Sequence, residues 1–223
     1  MKRKIVIACS KKWFLKNSQI RKFIKKKNIY LITKKQELNL KILKKINPQF
    51  IFFPHWSYRV KESIFKKFTC ICFHTAPLPF GRGGSPIQNM IKLGFSSSKV
   101  CALKMERGLD AGPIYLKEKV SLNGNLCEIL SKISEKILKM MKKILEKKIN
   151  EKKQVGKVVK FKRIKNNIIN FRLNIKKIFD QIRMLDDPCY PNSYIKLGNY
   201  KIEFFEAEMN KNNIKANAKI TKI

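Results

Sequence analysis

Short apolar runs alternate with amphipathic stretches through the first two-thirds of the chain. Residues 4–9, 28–33, 49–54 and 69–73 read as strands. The run at 49–54 is apolar throughout, as expected of a strand covered on both faces of a parallel sheet. Helical spacing predicts helices at 14–26, 35–46, 58–68 and 85–93, the last closing on Gly94. Residues 99–105 and 113–120 read as two further strands, antiparallel neighbours. A long amphipathic helix follows at 125–149, with Leu126, Ile129, Leu130, Ile133, Ile137, Leu138, Met141, Ile144 and Leu145 on one face. Strand–helix alternation of this kind predicts an α/β fold, a Rossmann-like, doubly wound and mostly parallel sheet. This first unit spans residues 1–150.

The pattern then changes. Residues 151–156 are a polar, charged linker, followed by a short strand at 158–163 and a helix at 174–185. The pair Asp187-Pro188 breaks that helix. Strands at 193–197, 201–207 and 214–220 follow, the first two joined through Gly198-Asn199. Residues 151–223 are thus expected to form a short C-terminal β-rich module.

Composition refines this only modestly. No apolar run approaches the ~20 residues needed to span a bilayer. The basic N-terminus leads into an apolar stretch too short for a signal peptide, so a cytoplasmic protein is expected. The formal net charge is +36, but of 51 basic residues only eight are arginine. Lysine, isoleucine, asparagine and phenylalanine are what A/T-rich codons encode. A dedicated phosphate-binding face would use more arginine, whose planar fork fits phosphate. The excess is therefore read mainly as codon composition, although it would still attract polyanions. The six cysteines form no CxxC pair and fall mostly in apolar patterns, which reads as reduced, buried cysteine. Cys70, Cys72 and His74 alternate onto one strand face, but no second Cys/His cluster completes a metal site.

Candidate chemistry concentrates in two segments. The first is Cys72-Phe73-His74-Thr75-Ala76-Pro77-Leu78-Pro79-Phe80-Gly81-Arg82-Gly83-Gly84-Ser85-Pro86-Ile87. It places a histidine at the carboxyl end of a strand, where open α/β sheets bind ligands. Imidazole titrates near neutral pH and serves as an acid or base. Gly81, Gly83 and Gly84 allow positive φ and let backbone N–H groups approach a ligand. The second segment, Met105 to Pro113, carries Asp110. A carboxylate is the natural partner to orient an imidazole. No Walker lysine follows the glycines, and the first strand lacks a dinucleotide fingerprint.

Together, His74-x-x-x-Leu78-Pro79-x-x-Arg82-Gly83-x-x-Pro86-Ile87 and Leu109-Asp110-Ala111-Gly112-Pro113-Ile114 resemble the 10-formyltetrahydrofolate-dependent formyltransferases. The resemblance is strongest over residues 49–145. It implies an enzyme with a catalytic Asn, His and Asp. His74 and Asp110 fall on the latter two. Cys72 stands where the family has asparagine, and Ala76 where it has serine. A thiol is a weaker donor than an amide, and one lost oxyanion donor can cost on the order of 10²–10³ in rate. A backbone N–H of the glycine loop, protonated His74 or Gln88 could substitute.

The implied reaction moves a formyl group from 10-formyltetrahydrofolate, the co-substrate, to a primary amine without a metal. Phe53, His55, Trp56, Leu78, Arg82 and Gly83 are expected to contact the folate. The expected acceptor is an amino sugar carried on a nucleotide, because both the N-terminal region and the C-terminal module are short. Methionyl-tRNA is the alternative acceptor, favoured by the charge. A non-catalytic folate- or RNA-binding descendant is the reading that Cys72 motivates. A homodimer is compatible with the sequence, and no membrane partner is implied.

Overall fold

The computed structural model describes residues 3–223. A six-stranded sheet carries the first unit, in the order β2-β1-β3-β4-β6-β7. Strands β1 (Ile5–Ala8), β2 (Ile29–Ile32), β3 (Phe50–Phe53) and β4 (Cys70–His74) pair in parallel. Strands β6 (Ser97–Lys104) and β7 (Ile114–Ser121) are antiparallel, as their pattern suggested. The short β5 (Phe80–Gly83) lies outside this sheet.

Alternation along the central strands divides the core into two layers. Ile5, Ile7, Phe52, Ile71 and Phe73 face one side of the sheet; Val6, Ala8, Ile51, Phe53 and Cys70 face the other. The first layer is closed by α1 (Lys12–Lys16), α2 (Ser18–Ile24), α5 (Pro86–Lys92) and the long α6 (Leu126–Glu146). The second is closed by α3 (Leu40–Ile46) and α4 (Glu62–Phe65). This is the doubly wound arrangement.

Three expected helices are shorter or divided, each for a local reason. The helix at 14–26 breaks at Asn17, whose side chain accepts hydrogen bonds from the N–H groups of Gln19 and Ile20 and so restarts it as α2. The helix at 35–46 is a 3₁₀ turn (Lys35–Glu37) followed by α3, which Asn39 caps through the Ile42 N–H. The helix at 58–68 contracts to α4, because residues 55–59 run as an open loop. By contrast α6 is continuous and begins where Asn125 caps the Glu128 N–H.

The C-terminal residues are tied to this unit. β8 (Val159–Phe161) pairs in parallel with β5, a pairing the sequence did not suggest. The stretch 151–156, expected as a free linker, is also held. Lys152 exchanges backbone hydrogen bonds with Ile114, and Glu151 forms an ion pair with Lys104 at 2.8 Å. Helix α7 (Ile175–Arg183) then packs on a three-stranded antiparallel sheet of β9 (Ser193–Leu197), β10 (Tyr200–Met209) and β11 (Ile214–Lys222). Arg183 fastens α7 to the turn before α6 by donating to the carbonyls of Leu122 (2.6 Å) and Gly124 (2.8 Å). No helix among the described residues is long and apolar enough to cross a membrane.

Ile137 is fully buried on α6, whereas Glu135 on the same helix is exposed. Ile137→Ala should lower stability by about 2–5 kcal/mol and Glu135→Ala by no more than about 0.5 kcal/mol. Urea unfolding followed by circular dichroism measures both.

Candidate active site

His74 is the last residue of β4. On that strand it has the parity of Cys70 and Cys72, so all three point to the α3–α4 side of the sheet. The β6–β7 loop starts beside Cys70, where the Met105 N–H bonds the Cys70 carbonyl. It then doubles back along β4 and brings Asp110 to His74. Asp110 Oδ2 lies 3.4 Å from His74 Nδ1 and accepts the Gly83 N–H at 2.9 Å. His74 Nε2 lies 2.7 Å from the Gly81 carbonyl oxygen. A carbonyl only accepts, so Nε2 carries a hydrogen. Nδ1 meanwhile faces the Asp110 carboxylate.

The loop itself is demanding. Asp110 adopts φ +50°, a left-handed conformation uncommon for a residue with a side chain. Gly112 cannot carry a Cβ, which would overlap the Lys104 carbonyl oxygen.

A cleft of about 1360 Å³ opens beside the pair. Cys72, His74, Gly83 and Asp110 line it, together with Phe53, His55 and Trp56 from the end of β3. Trp56 meets Phe53 and Tyr58 edge-on, with ring centroids 6.2 and 5.2 Å apart, and these rings make an aromatic wall. His55 Nε2 and Trp56 Nε1 are buried without a hydrogen-bond partner. Such groups are costly to leave unpaired unless a ligand or water meets them. Lys35, Arg59 and Lys61 place cations around the cleft, whose lining also holds Glu106 and Glu62; Lys104 and Arg107 are paired with Glu151 and Glu62.

His55 is not an acid–base group at neutral pH. Its ring packs on Trp13 and Phe14, and burial, reinforced by the Lys11 charge, lowers its pKa to about 3. Burial pushes the Cys72 thiol far above the usual range, and the Asp110 carboxylate adds to the effect. Cys72 is a neutral thiol directed at the Leu103 carbonyl, 3.7 Å away.

Two residues expected at the folate do not line this cleft. Leu78 is fully buried against Cys101, Leu103 and Ile114, and so is core. Arg82 turns from the cleft to Gln154, donating to its Oε1 from Nε (3.2 Å) and Nη2 (2.8 Å). The glycines serve close packing more than ligand approach. A Cβ at Gly81 would strike Ala76 and the Phe161 ring, and one at Gly83 the Phe161 carbonyl. The N–H groups of Gly83 and Gly84 are engaged by Asp110 and Phe161. Gln88 bonds the Met184 carbonyl, away from the cleft. Of the substitutes considered for the missing asparagine, His74 lines the cleft, but its Nε2 hydrogen is engaged by the Gly81 carbonyl and its Nδ1 faces Asp110.

Gln154 was not singled out from sequence. It lies in a charged run, and nothing local marks it. Its Nε2 donates to the carbonyls of Asp110 and Gly112, both at 2.8 Å.

A carboxylate–imidazole pair at a strand end, beside an open cleft in a mostly parallel α/β sheet, marks a candidate enzyme site. The family model for the C-terminal domain of methionyl-tRNA formyltransferase matches residues 164–221. A solved methionyl-tRNA formyltransferase from Clostridium thermocellum is 40% identical, covers 99% of both chains and superposes with a TM-score of 0.93. A curated methionyl-tRNA formyltransferase from Sulfurihydrogenibium sp. is 28% identical over 83% of this chain. The chain spans about three-fifths of that relative's length, 62%. A 4-N formyltransferase from Francisella tularensis shares the fold at 18% identity, with a TM-score of 0.66 over 88% of this chain and 93% of that one. The chain belongs to the formyltransferase family.

The thiol chemistry is directly testable. At pH 8, iodoacetamide should alkylate the exposed Cys189 and Cys127 well before Cys72, although Cys72 lines the cleft. Peptide mass mapping against time reads the order.

Proposed function

We propose that this protein transfers a formyl group from 10-formyltetrahydrofolate to the amino group of methionyl-tRNA. The observation that carries the reading is the His74–Asp110 pair in an aromatic-walled cleft, in a chain alike from end to end to a methionyl-tRNA formyltransferase. The cleft suits a folate. Trp56, backed by the buried Phe53, offers an aromatic surface for a flat heterocycle, the unpaired His55 and Trp56 nitrogens await polar partners, and Lys35, Arg59 and Lys61 suit carboxylates.

The chemistry follows from the residues. The acceptor amine attacks the formyl carbon, forming the new C–N bond as negative charge grows on the formyl oxygen. His74, oriented by Asp110, donates its Nε2 hydrogen to that oxygen once the formyl group displaces the Gly81 carbonyl from it. Asp110 keeps the ring oriented and takes the proton that the attacking amine must lose. The bond to the folate nitrogen then breaks, and the proton leaves with tetrahydrofolate. Cys72 supplies shape and at most a weak S–H donor.

Methionyl-tRNA replaces the amino-sugar nucleotide as the favoured acceptor. The case for a sugar rested on short N- and C-terminal regions, yet the methionyl-tRNA formyltransferase from Clostridium thermocellum matches this chain over 99% of each. The sugar enzyme from Francisella tularensis is far less similar in sequence. The charge of +36 would attract a polyanionic acceptor, and the module at 164–221 resembles the part found in methionyl-tRNA formyltransferases.

Purified protein should convert methionyl-tRNA and 10-formyltetrahydrofolate to formylmethionyl-tRNA and tetrahydrofolate. His74→Ala and Asp110→Ala should each reduce the rate by on the order of 10²-fold or more. Cys72→Asn should leave it unchanged or raise it. The KM for tRNA should rise on the order of tenfold or more between 50 and 200 mM salt. Turnover only with amino-sugar nucleotides, at rates indifferent to salt, would replace the acceptor; no turnover with any amine would end the enzyme reading.

A further inference from the structure

Gln154 uses every hydrogen-bonding position of its amide. Oε1 accepts twice, from Arg82 Nε and Nη2, and Nε2 donates twice, to the Asp110 and Gly112 carbonyls. An amide has two donor hydrogens and two acceptor positions, so this network is saturated and fixes which end points where. Its four bonds join three segments distant in sequence: the glycine-rich β5, the loop that carries Asp110, and the stretch after α6. Both acceptors lie in the tight loop where Asp110 holds φ +50°. One is the Asp110 carbonyl itself.

We infer that Gln154 is a positioning residue that holds Asp110 in the conformation from which its carboxylate reaches His74 and the Gly83 N–H. The inference rests on the formyl-transfer reading only for its kinetic consequence. The bonds beside Gln154 reinforce it. Lys152 is hydrogen-bonded to Ile114 just past the loop, and Glu151 pairs with Lys104 just before it. The chain after α6 therefore completes the active site as well as leading to the C-terminal module.

Gln154→Glu is the discriminating substitution. A carboxylate is nearly isosteric and keeps, even strengthens, the bonds to Arg82. It has no hydrogen to give the two carbonyls, so it preserves the anchor and removes the positioning. Gln154→Leu removes both. The protein has only two histidines, so side-chain ¹⁵N–¹H spectra at a fixed pH resolve His74 from His55. In both variants the His74 Nδ1 signal should move toward that of Asp110→Asn, with the melting temperature of Gln154→Glu close to that of the unaltered protein. Turnover should fall about 10²-fold, as displacement of a catalytic group by about 1 Å can cause, and the KM for 10-formyltetrahydrofolate should stay within about twofold.

An unmoved His74 signal in Gln154→Glu would overturn the positioning role, whatever the turnover. A normal kcat in that variant, with an active parent protein, would overturn it too. A displaced His74 signal in a protein that turns over no amine would support the positioning role and overturn formyl transfer instead.

Discussion

The Asp110 carboxylate is where the site is held together. One of its oxygens accepts the Gly83 N–H and faces His74 Nδ1, and so joins the β6–β7 loop, β5 and β4 at a single atom. His74 is braced from its other nitrogen by the Gly81 carbonyl. The imidazole ring is thus fixed in orientation from both of its nitrogens. Two residues earlier on β4 stands Cys72, a buried neutral thiol.

The rest of the fold serves this contact. The doubly wound core places the end of β4 beside the open loop after β3. The antiparallel β6 sends its loop to the start of β4, so Asp110 must travel back along the strand to reach His74. Gly112 permits the close pass by Lys104, and Gln154 clamps the returning backbone. β8 covers β5 so closely that Gly81 and Gly83 have no room for a side chain. The catalytic and C-terminal parts are thus coupled through β5 and the loop at 105–113.

What could be read in advance depended on whether its physical signal was local. Buried strands announce themselves by apolar runs, and α6 by an unbroken apolar stripe. The His74–Asp110 pairing was legible because two short motifs flank it. The breaks at Asn17 and Asn39 lay inside otherwise continuous helical spacing, where an asparagine's choice between surface and cap is settled by backbone geometry. Gln154 could not be read at all, because its partners lie 42 to 72 residues away. The glycines were recognised as special, but the reason is the approach of β8, a pairing with no sequence signature. Arg82 belongs to the same lesson: an arginine beside a cleft found a neutral amide rather than a ligand.

In the proposed function the excess of positive charge and the aromatic cleft belong to different steps, one bringing a polyanion near and the other placing the donor. The placement is the central claim. A crystal structure with 5-formyltetrahydrofolate, a stable isomer of the donor, tests it most directly. The pterin should lie in the cleft against Phe53 and Trp56, with the formyl-bearing end beside His74 and some ring atom of His74 within about 3.5 Å of the formyl group or its attachment site. A folate bound outside this cleft, or within it with its reactive end turned away from His74 and Asp110, would contradict the assignment.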